Sequence, residues 1–306
     1  MPRCMRAVAW KRATAHFFEV SKILKSIAII GYGFVGKACH KAFEHNTEAI
    51  IIDPKYSDLT IDQLAIFRPR LTFVAINAPT LDDRSVDASV IYDVFQQLAD
   101  IKYDGLVVLK STLPSDIVDD LYVKFGKDGT MSKSGFLRYI YSPEFLRETH
   151  WEEDAVSPYQ IIMAGNFHDC KELENYYRNN SHVKHARFHL CDYKEAALAK
   201  YTLNAYFASK VVFMNQIYQL HKDAYGSENI HPESWKAFTD MLTSDLRFGA
   251  THHGVPGPDG QFGYGGSCFP KDVKALIGYD KNERLSVLRE VELANTKIRL
   301  TGKDKS

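Results

Sequence analysis

The 306-residue chain is predicted to be an α/β protein: a doubly wound parallel sheet, then one long helix and a small, mainly helical domain. Three observations predict it. Short apolar runs alternate with helical patterns from Ser26 to about Asp192. No Gly or Pro interrupts the stretch from Asp192 to Tyr225. A Gly-x-Gly-x-x-Gly turn separates the first apolar run from the first helical pattern.

The apolar runs are SIAII, EAIIID, LTFVAI, LVVLKS, RYIYS, YQIIMAG and ARFHL. Their Ile and Val content, apolar on both faces, suits strands of a covered parallel sheet. Helices are expected over Phe34–His45, Asp87–Ile101 and Pro114–Phe125. In the last, Ser111-Thr112 precede a Pro near the helix start. Strands and helices in alternation imply βαβ units and a Rossmann-type sheet over residues 26–192. The stretch from Tyr193 to Tyr225 is apolar around most of its circumference. As one helix it would be about 45 Å long and would need cover on nearly every side, some of it from a second subunit. Residues 193–306 form the second domain, helical apart from the glycine-rich segment 249–266.

Composition narrows function by exclusion. Thirty-eight basic and 38 acidic side chains cancel, so no global field favours nucleic acid or an anionic membrane. No apolar run reaches the ~18 residues of a membrane span. Five scattered cysteines, Cys4, Cys39, Cys170, Cys191 and Cys268, show no C-x-x-C spacing. They suit a reducing, cytoplasmic setting rather than a disulfide framework or a zinc site. His252, His253 and Asp259 share one long loop, but adjacent histidines do not readily converge on one ion, and no metal is expected. Residues 1–25 carry six basic residues and one acid, and are read as an extension outside the fold or as a targeting segment.

Gly31-Tyr32-Gly33-Phe34-Val35-Gly36 follows a strand and opens a helix, the context of a dinucleotide site. The first Gly permits the turn, the second admits a pyrophosphate and the third lets helix and sheet pack. Asp53 ends the next strand, 17 residues after Gly36, where a carboxylate accepts from ribose hydroxyls and disfavours a 2′-phosphate. NAD is the expected cofactor, although Lys55 stands nearby.

FGYGGSCFPKD, from Phe262 to Asp272, places Cys268 beside three glycines, Lys271 and Asp272. Taken alone it reads either as a nucleophile with helpers or as a buried, inert thiol. Pro270 and Asp272 suit a helix start, whose positive end, with Lys271, favours a thiolate. Lys200 and Asn204 lie at i and i+4 on the long apolar helix, so an ammonium and an amide share one face.

This loop resembles the active-site signature of the UDP-glucose/GDP-mannose dehydrogenase family. GYGFVG, INAPT (Ile76–Thr80), KST (Lys110–Thr112), SPEFLRE (Ser142–Glu148), KYTLNAYFASK (Lys200–Lys210) and SDLRFG (Ser244–Gly249) resemble the family's other motifs, in order. The resemblance implies a homodimer built on the long helix. It also implies NAD-dependent oxidation of a nucleotide sugar's C6 alcohol to the acid, as from UDP-glucose to UDP-glucuronate for polysaccharide biosynthesis. Cys268 would be the nucleophile, Lys200 and Asn204 would stabilise the oxyanion, and Asp272 and Thr112 would position water. Glu144 would be the acid–base group or, alternatively, a backbone cap. Gly31, Gly33, Phe34, Val35, Gly36, Asp53, Thr80, Thr112, Glu148 and Lys271 would contact NAD. Substrate would meet Glu144, Phe145, Leu146, Lys200, Asn204 and Gly263. Arg247 would reach it from the partner subunit, or else be a solvated arginine. The family carries a further nucleotide-binding domain after this loop, whereas the sequence runs only 38 residues beyond Cys268. Two other readings stay open: a two-electron hydroxy-acid dehydrogenase of related fold, and a non-catalytic NAD-binding relative.

Overall fold

The computed structural model describes residues 27–126, 137–183, 185–226 and 231–303. The proposed extension, residues 1–25, lies outside them. The chain divides into two compact units. The first holds the residues up to Ala78 together with Asp87–Lys200. The second holds Pro79–Val86 and everything from Tyr201 onward.

The first unit is the doubly wound sheet. Strands β1 (Ile27–Ile30), β2 (Ala49–Ile52), β3 (Leu71–Val74), β4 (Leu106–Leu109), β5 (Arg138–Tyr141), β6 (Gln160–Gly165) and β7 (Arg187–Cys191) lie in the order β2-β1-β3-β4-β5-β6-β7. Each corresponds to one of the seven apolar runs. Helices α1 (Phe34–Phe43), α2 (Leu64–Phe67), α3 (Ser89–Asp100), α4 (Ser115–Phe125), α5 (Trp151–Val156) and α6 (Phe167–Asn180) connect them. Residues of β1, β3 and β4 are fully buried, because helices cover both faces. Phe43, Phe73, Tyr176 and Tyr177 pack together with Ile27, Ile29, Val108 and Met163 in the largest part of this core.

The sheet departs from the all-parallel expectation in one place. β6 pairs antiparallel to β5, with Tyr141 opposite Ala164. The connection over residues 142–159 therefore stays at the edge where β5 ends and need not cross the sheet. Helix α5 lies in this connection and packs on α1 through Trp151 and Phe34, ring centroids 6.1 Å apart. Strand β7 is a largely exposed edge rather than a covered strand.

The long helix is α7 (Tyr193–Ala224), 32 residues, and it runs from the first unit into the second. The second unit adds α8 (Pro232–Thr243), α9 (Phe269–Tyr279) and α10 (Ser286–Lys303). Its core joins Tyr201, Ala205, Ala208 and Val212 of α7 to Val273, Leu276 and Ile277 of α9 and Leu288 of α10. The segment 79–86 belongs here through an Arg84–Glu292 ion pair at 2.8 Å and a hydrogen bond from Thr80 Oγ1 to the Lys271 carbonyl at 3.1 Å.

The parallel register aligns the strand ends. Ile52, Ile30, Val74, Leu109 and Tyr141 are successive partners across the sheet. Beyond them, Ala75 N–H donates to the Ile30 carbonyl, Lys110 N–H to that of Val74 and Ser142 N–H to that of Leu109. Asp53, Gly31, Ala75, Lys110 and Ser142 thus form one row along the sheet edge.

Gly31 opens that row with φ +87°, and a Cβ there would lie 2.6 Å from the Ala75 carbonyl oxygen. Gly31→Ala is expected to cost about 2–3 kcal/mol from strain and collision. An unchanged urea midpoint would show that the turn tolerates a side chain.

Candidate active site

In the first unit, the residues just past the strand ends carry the site. The glycine turn is tied to β2: Tyr32 N–H donates to Asp53 Oδ2 at 2.7 Å. The other Asp53 oxygen accepts from Lys55 N–H at 2.9 Å. Gly33 faces open space, with no heavy atom within 4 Å of where a Cβ would be. A Cβ at Gly36 would collide with the Gly31 carbonyl, so this glycine serves helix–turn packing. Val35 packs on the core and Phe34 on Trp151, which leaves their N–H groups, rather than their side chains, for an anion at the start of α1. An open approach at Gly33, a helix N-terminus and a carboxylate just past β2 together fit a dinucleotide.

The KST segment works as a crossbar. Lys110, 2% exposed, places its ammonium 2.6 Å from Glu144 Oε1 and donates to Ser142 Oγ at 3.2 Å. Ser111 Oγ donates to the Ile76 carbonyl at 2.6 Å and accepts from the Ile76 N–H at 3.1 Å. Adjacent residues therefore hold the INAPT and SPEF loops, and Thr112 follows, half-buried. The SPEF loop is fixed again where Arg147 bonds the buried Asp154 carboxylate through its N–H and its guanidinium. Phe145 and Leu146 are half-buried, and the Lys200 ammonium sits over the Phe145 ring, 5.2 Å from its centroid. The side chain of Glu148 lies outside the described residues. Lys110 carried no role in the sequence reading beyond membership of its motif. Nothing in a one-residue signal shows that a lysine is buried against a particular glutamate.

In the second unit, Cys268 is the N-cap of α9, with Pro270 and Asp272 in the first turn. The Asp272 N–H closes the first helical bond onto the Cys268 carbonyl at 2.9 Å. The Asp272 side chain is 1% exposed. It accepts from Asn204 Nδ2 on one oxygen and from the Lys271 ammonium on the other, each at 2.5 Å. Two donors offset the cost of burying that carboxylate. Lys271, expected at the cofactor, thus spends its ammonium on Asp272, and its carbonyl accepts from Thr80 Oγ1 at 3.1 Å. Lys200 precedes Asn204 by one turn of α7. Gly263 is buried, and its N–H donates to Asn215 Oδ1 at 2.9 Å. Arg247 is exposed and pairs with its neighbour Asp245 at 2.6 Å. In the long loop, His252 stacks on Phe207 and Asp259 pairs with Arg299. Among the described residues, no three His, Cys, Asp or Glu side chains gather to hold a metal.

The motif order and this geometry have a counterpart in known proteins. A model of the NAD binding domain of the UDP-glucose/GDP-mannose dehydrogenase family matches residues 55–180, and a model of its central domain matches 194–297. The chain belongs to the UDP-glucose/GDP-mannose dehydrogenase family. The NAD binding domain match falls mostly within the first unit. The UDP-glucose 6-dehydrogenase of Rickettsia felis is 29% identical over 90% of this chain and 57% of its own length. The chain spans less than two thirds of the curated relatives compared. The fold matches a UDP-glucose dehydrogenase from Pyrobaculum islandicum, with TM-score 0.66 and 23% identity over 91% of this chain and 68% of that one. It also matches a Mycobacterium tuberculosis 3-hydroxyisobutyrate dehydrogenase, with TM-score 0.64 and 12% identity over 92% of this chain and 96% of that one. At these identities the structures show a shared fold alone.

Two outcomes follow from the site. Lys110→Met breaks a buried ion pair and is expected to destabilise by about 3 kcal/mol in urea unfolding, with Lys110→Met/Glu144→Gln recovering most of it. A fully additive double variant would separate the two residues. Burial pushes the Cys39 and Cys170 thiols up to about 12 and Cys191 to about 11. Iodoacetamide at about pH 8 should therefore label Cys268 first among the four described cysteines. Faster labelling of any other would contradict this.

Proposed function

We propose that the protein is an NAD-dependent nucleotide-sugar dehydrogenase that oxidises the C6 alcohol of UDP-glucose, or a close analogue, to the uronic acid. The observation that carries the reading is the pairing of Cys268, at a helix N-terminus, with a buried Asp272 held by Asn204. A hydroxy-acid dehydrogenase has no use for a nucleophilic thiol.

NAD supplies the hydride acceptor, one molecule for each of two oxidations. The glycine turn and Asp53 would hold its pyrophosphate and ribose. In the first oxidation C6 loses a hydride and its hydroxyl proton, giving the aldehyde. The Cys268 thiolate then adds to the aldehyde carbon, and Lys200 and Asn204 stabilise the resulting oxyanion. Loss of a second hydride from C6 leaves a thioester. Water, oriented by Asp272 and Thr112, attacks its carbonyl, and the C–S bond breaks to return the thiol and release the carboxylate. Glu144, held on Lys110, serves the proton transfers of the first step. Glu148 and Thr80 contribute to the cofactor side, with Lys271 acting through Asp272. Phe145, Leu146 and Gly263 line the sugar.

A homodimer is part of this proposal. Tyr206, Phe213 and Leu220 recur at seven-residue intervals on α7, and each is more than half exposed. An apolar stripe of that spacing suits a second helix. Arg247, exposed in one copy, would then be free to meet substrate in the other. Among the described residues no helix is long and apolar enough to cross a membrane, and the cytoplasm is the proposed setting.

Two NADH per UDP-glucose consumed is the expected stoichiometry. Cys268→Ala should lower turnover to acid by about a hundredfold or more. One NADH per sugar, or turnover of a small hydroxy acid undiminished in Cys268→Ala, would favour the two-electron reading instead. Phe213→Glu should convert a sedimenting dimer to monomer, and a wild-type monomer would remove the dimer from the account.

A further inference from the structure

The glycine-rich segment before Cys268 is gripped by side chains from α10 in a way that neither its sequence nor the proposed chemistry requires. Asn295 and Arg299 stand one turn apart on that helix. Asn295 Oδ1 accepts from the Tyr264 N–H at 2.7 Å, and its Nδ2 donates to the Tyr264 carbonyl at 3.1 Å. One amide thus satisfies both polar groups of a buried residue, as a neighbouring strand would. Arg299 Nε donates to the same carbonyl at 2.9 Å. Its two terminal nitrogens reach Gln261 Oε1 at 3.0 Å and Asp259 Oδ2 at 2.7 Å. From α7, Asn215 takes the Gly263 N–H.

Two of the glycines are cut to fit this grip. A Cβ at Gly263 would lie 2.5 Å from Asn295 Oδ1, and one at Gly265 would collide with the Arg299 guanidinium. The space left by the missing side chain of Gly265 is filled by Arg299.

Between Tyr264 and Cys268 lie only Gly265, Gly266 and Ser267, and Gly266 has φ +74°. Two glycines in three residues leave the thiol free to wander unless both flanks are fixed. Helix α9 fixes the far flank through the Asp272-to-Cys268 bond. We infer that Asn295 and Arg299 are positioning residues for Cys268: they fix the near flank, so that the thiol is presented at the start of α9 in one conformation. The inference rests on Cys268 being the nucleophile.

The test measures the thiol directly. Arg299→Met and Asn295→Ala are alkylated with iodoacetamide beside the wild type, and the Cys268 peptide is followed by mass spectrometry. Release of the loop should speed Cys268 labelling about tenfold, with Arg299→Lys intermediate, while Cys39 and Cys170 stay unlabelled. Unchanged Cys268 rates in both variants would overturn the inference. If Arg299→Met labels Cys39 or Cys170, it has unfolded, and Arg299→Lys decides: a Cys268 rate equal to wild type is then the overturning result. With UDP-glucose, kcat should fall about tenfold to a hundredfold in the two variants, with KM for NAD within about twofold. A wild-type chain that turns over no nucleotide sugar refutes the proposed function, while the thiol rates still decide the role of Asn295 and Arg299.

Discussion

A shared parallel register is the constraint on which the first unit depends. Ile52, Ile30, Val74, Leu109 and Tyr141 are locked in succession across the sheet. The residue after each is therefore delivered to the same edge: Asp53, Gly31, Ala75, Lys110 and Ser142. Three motifs that are far apart in the chain begin in that row, and INAPT begins one residue past it. Strands β1, β3 and β4 are buried on both faces, so a one-residue slip of any of them would draw the residue beyond one end into the core and push an apolar residue out at the other. The chemistry-bearing loops are positioned by the same burial that holds the sheet together. The crossbar at Lys110 and Ser111 then couples two of those loops to the central strand.

The second unit achieves precision by a different route. Among its described residues no sheet sets a register, and its loops are held by buried side chains from helices. Asn204, Asn215 and Asn295 each donate or accept across a long sequence separation, to Asp272, Gly263 and Tyr264. Each is nearly buried, and an amide without a partner there would cost about 1–3 kcal/mol. Such groups specify one loop conformation because the alternatives leave them unpaired.

Much of this was legible in the sequence, for physical reasons. All seven strands could be read because burial on a sheet face imprints an apolar run. The long helix could be read because more than thirty residues without Gly or Pro leave few other conformations. Strand direction could not: an apolar run reports burial, not polarity, so the reversal of β6 was invisible. The glycines near Cys268 were visible, but their cause was not. Gly265 looks like room for a ligand until Arg299, 34 residues on, is found beside it. Lys110 likewise reads as an ordinary lysine until the register places it under Glu144. Pairings across long separations are what the pattern of one chain does not encode.

Cys268 is proposed to hold the sugar covalently from the aldehyde through to the acid. This bond can be seen without relying on rates. Asp272→Asn keeps the shape of the buried side chain and should slow release of the thioester. Acid quench of this variant with UDP-glucose and NAD, followed by peptide mass analysis, should find the Cys268 peptide heavier by one UDP-glucuronyl group. NADH formation with no adduct on Cys268, or with the adduct on another residue, would contradict the account.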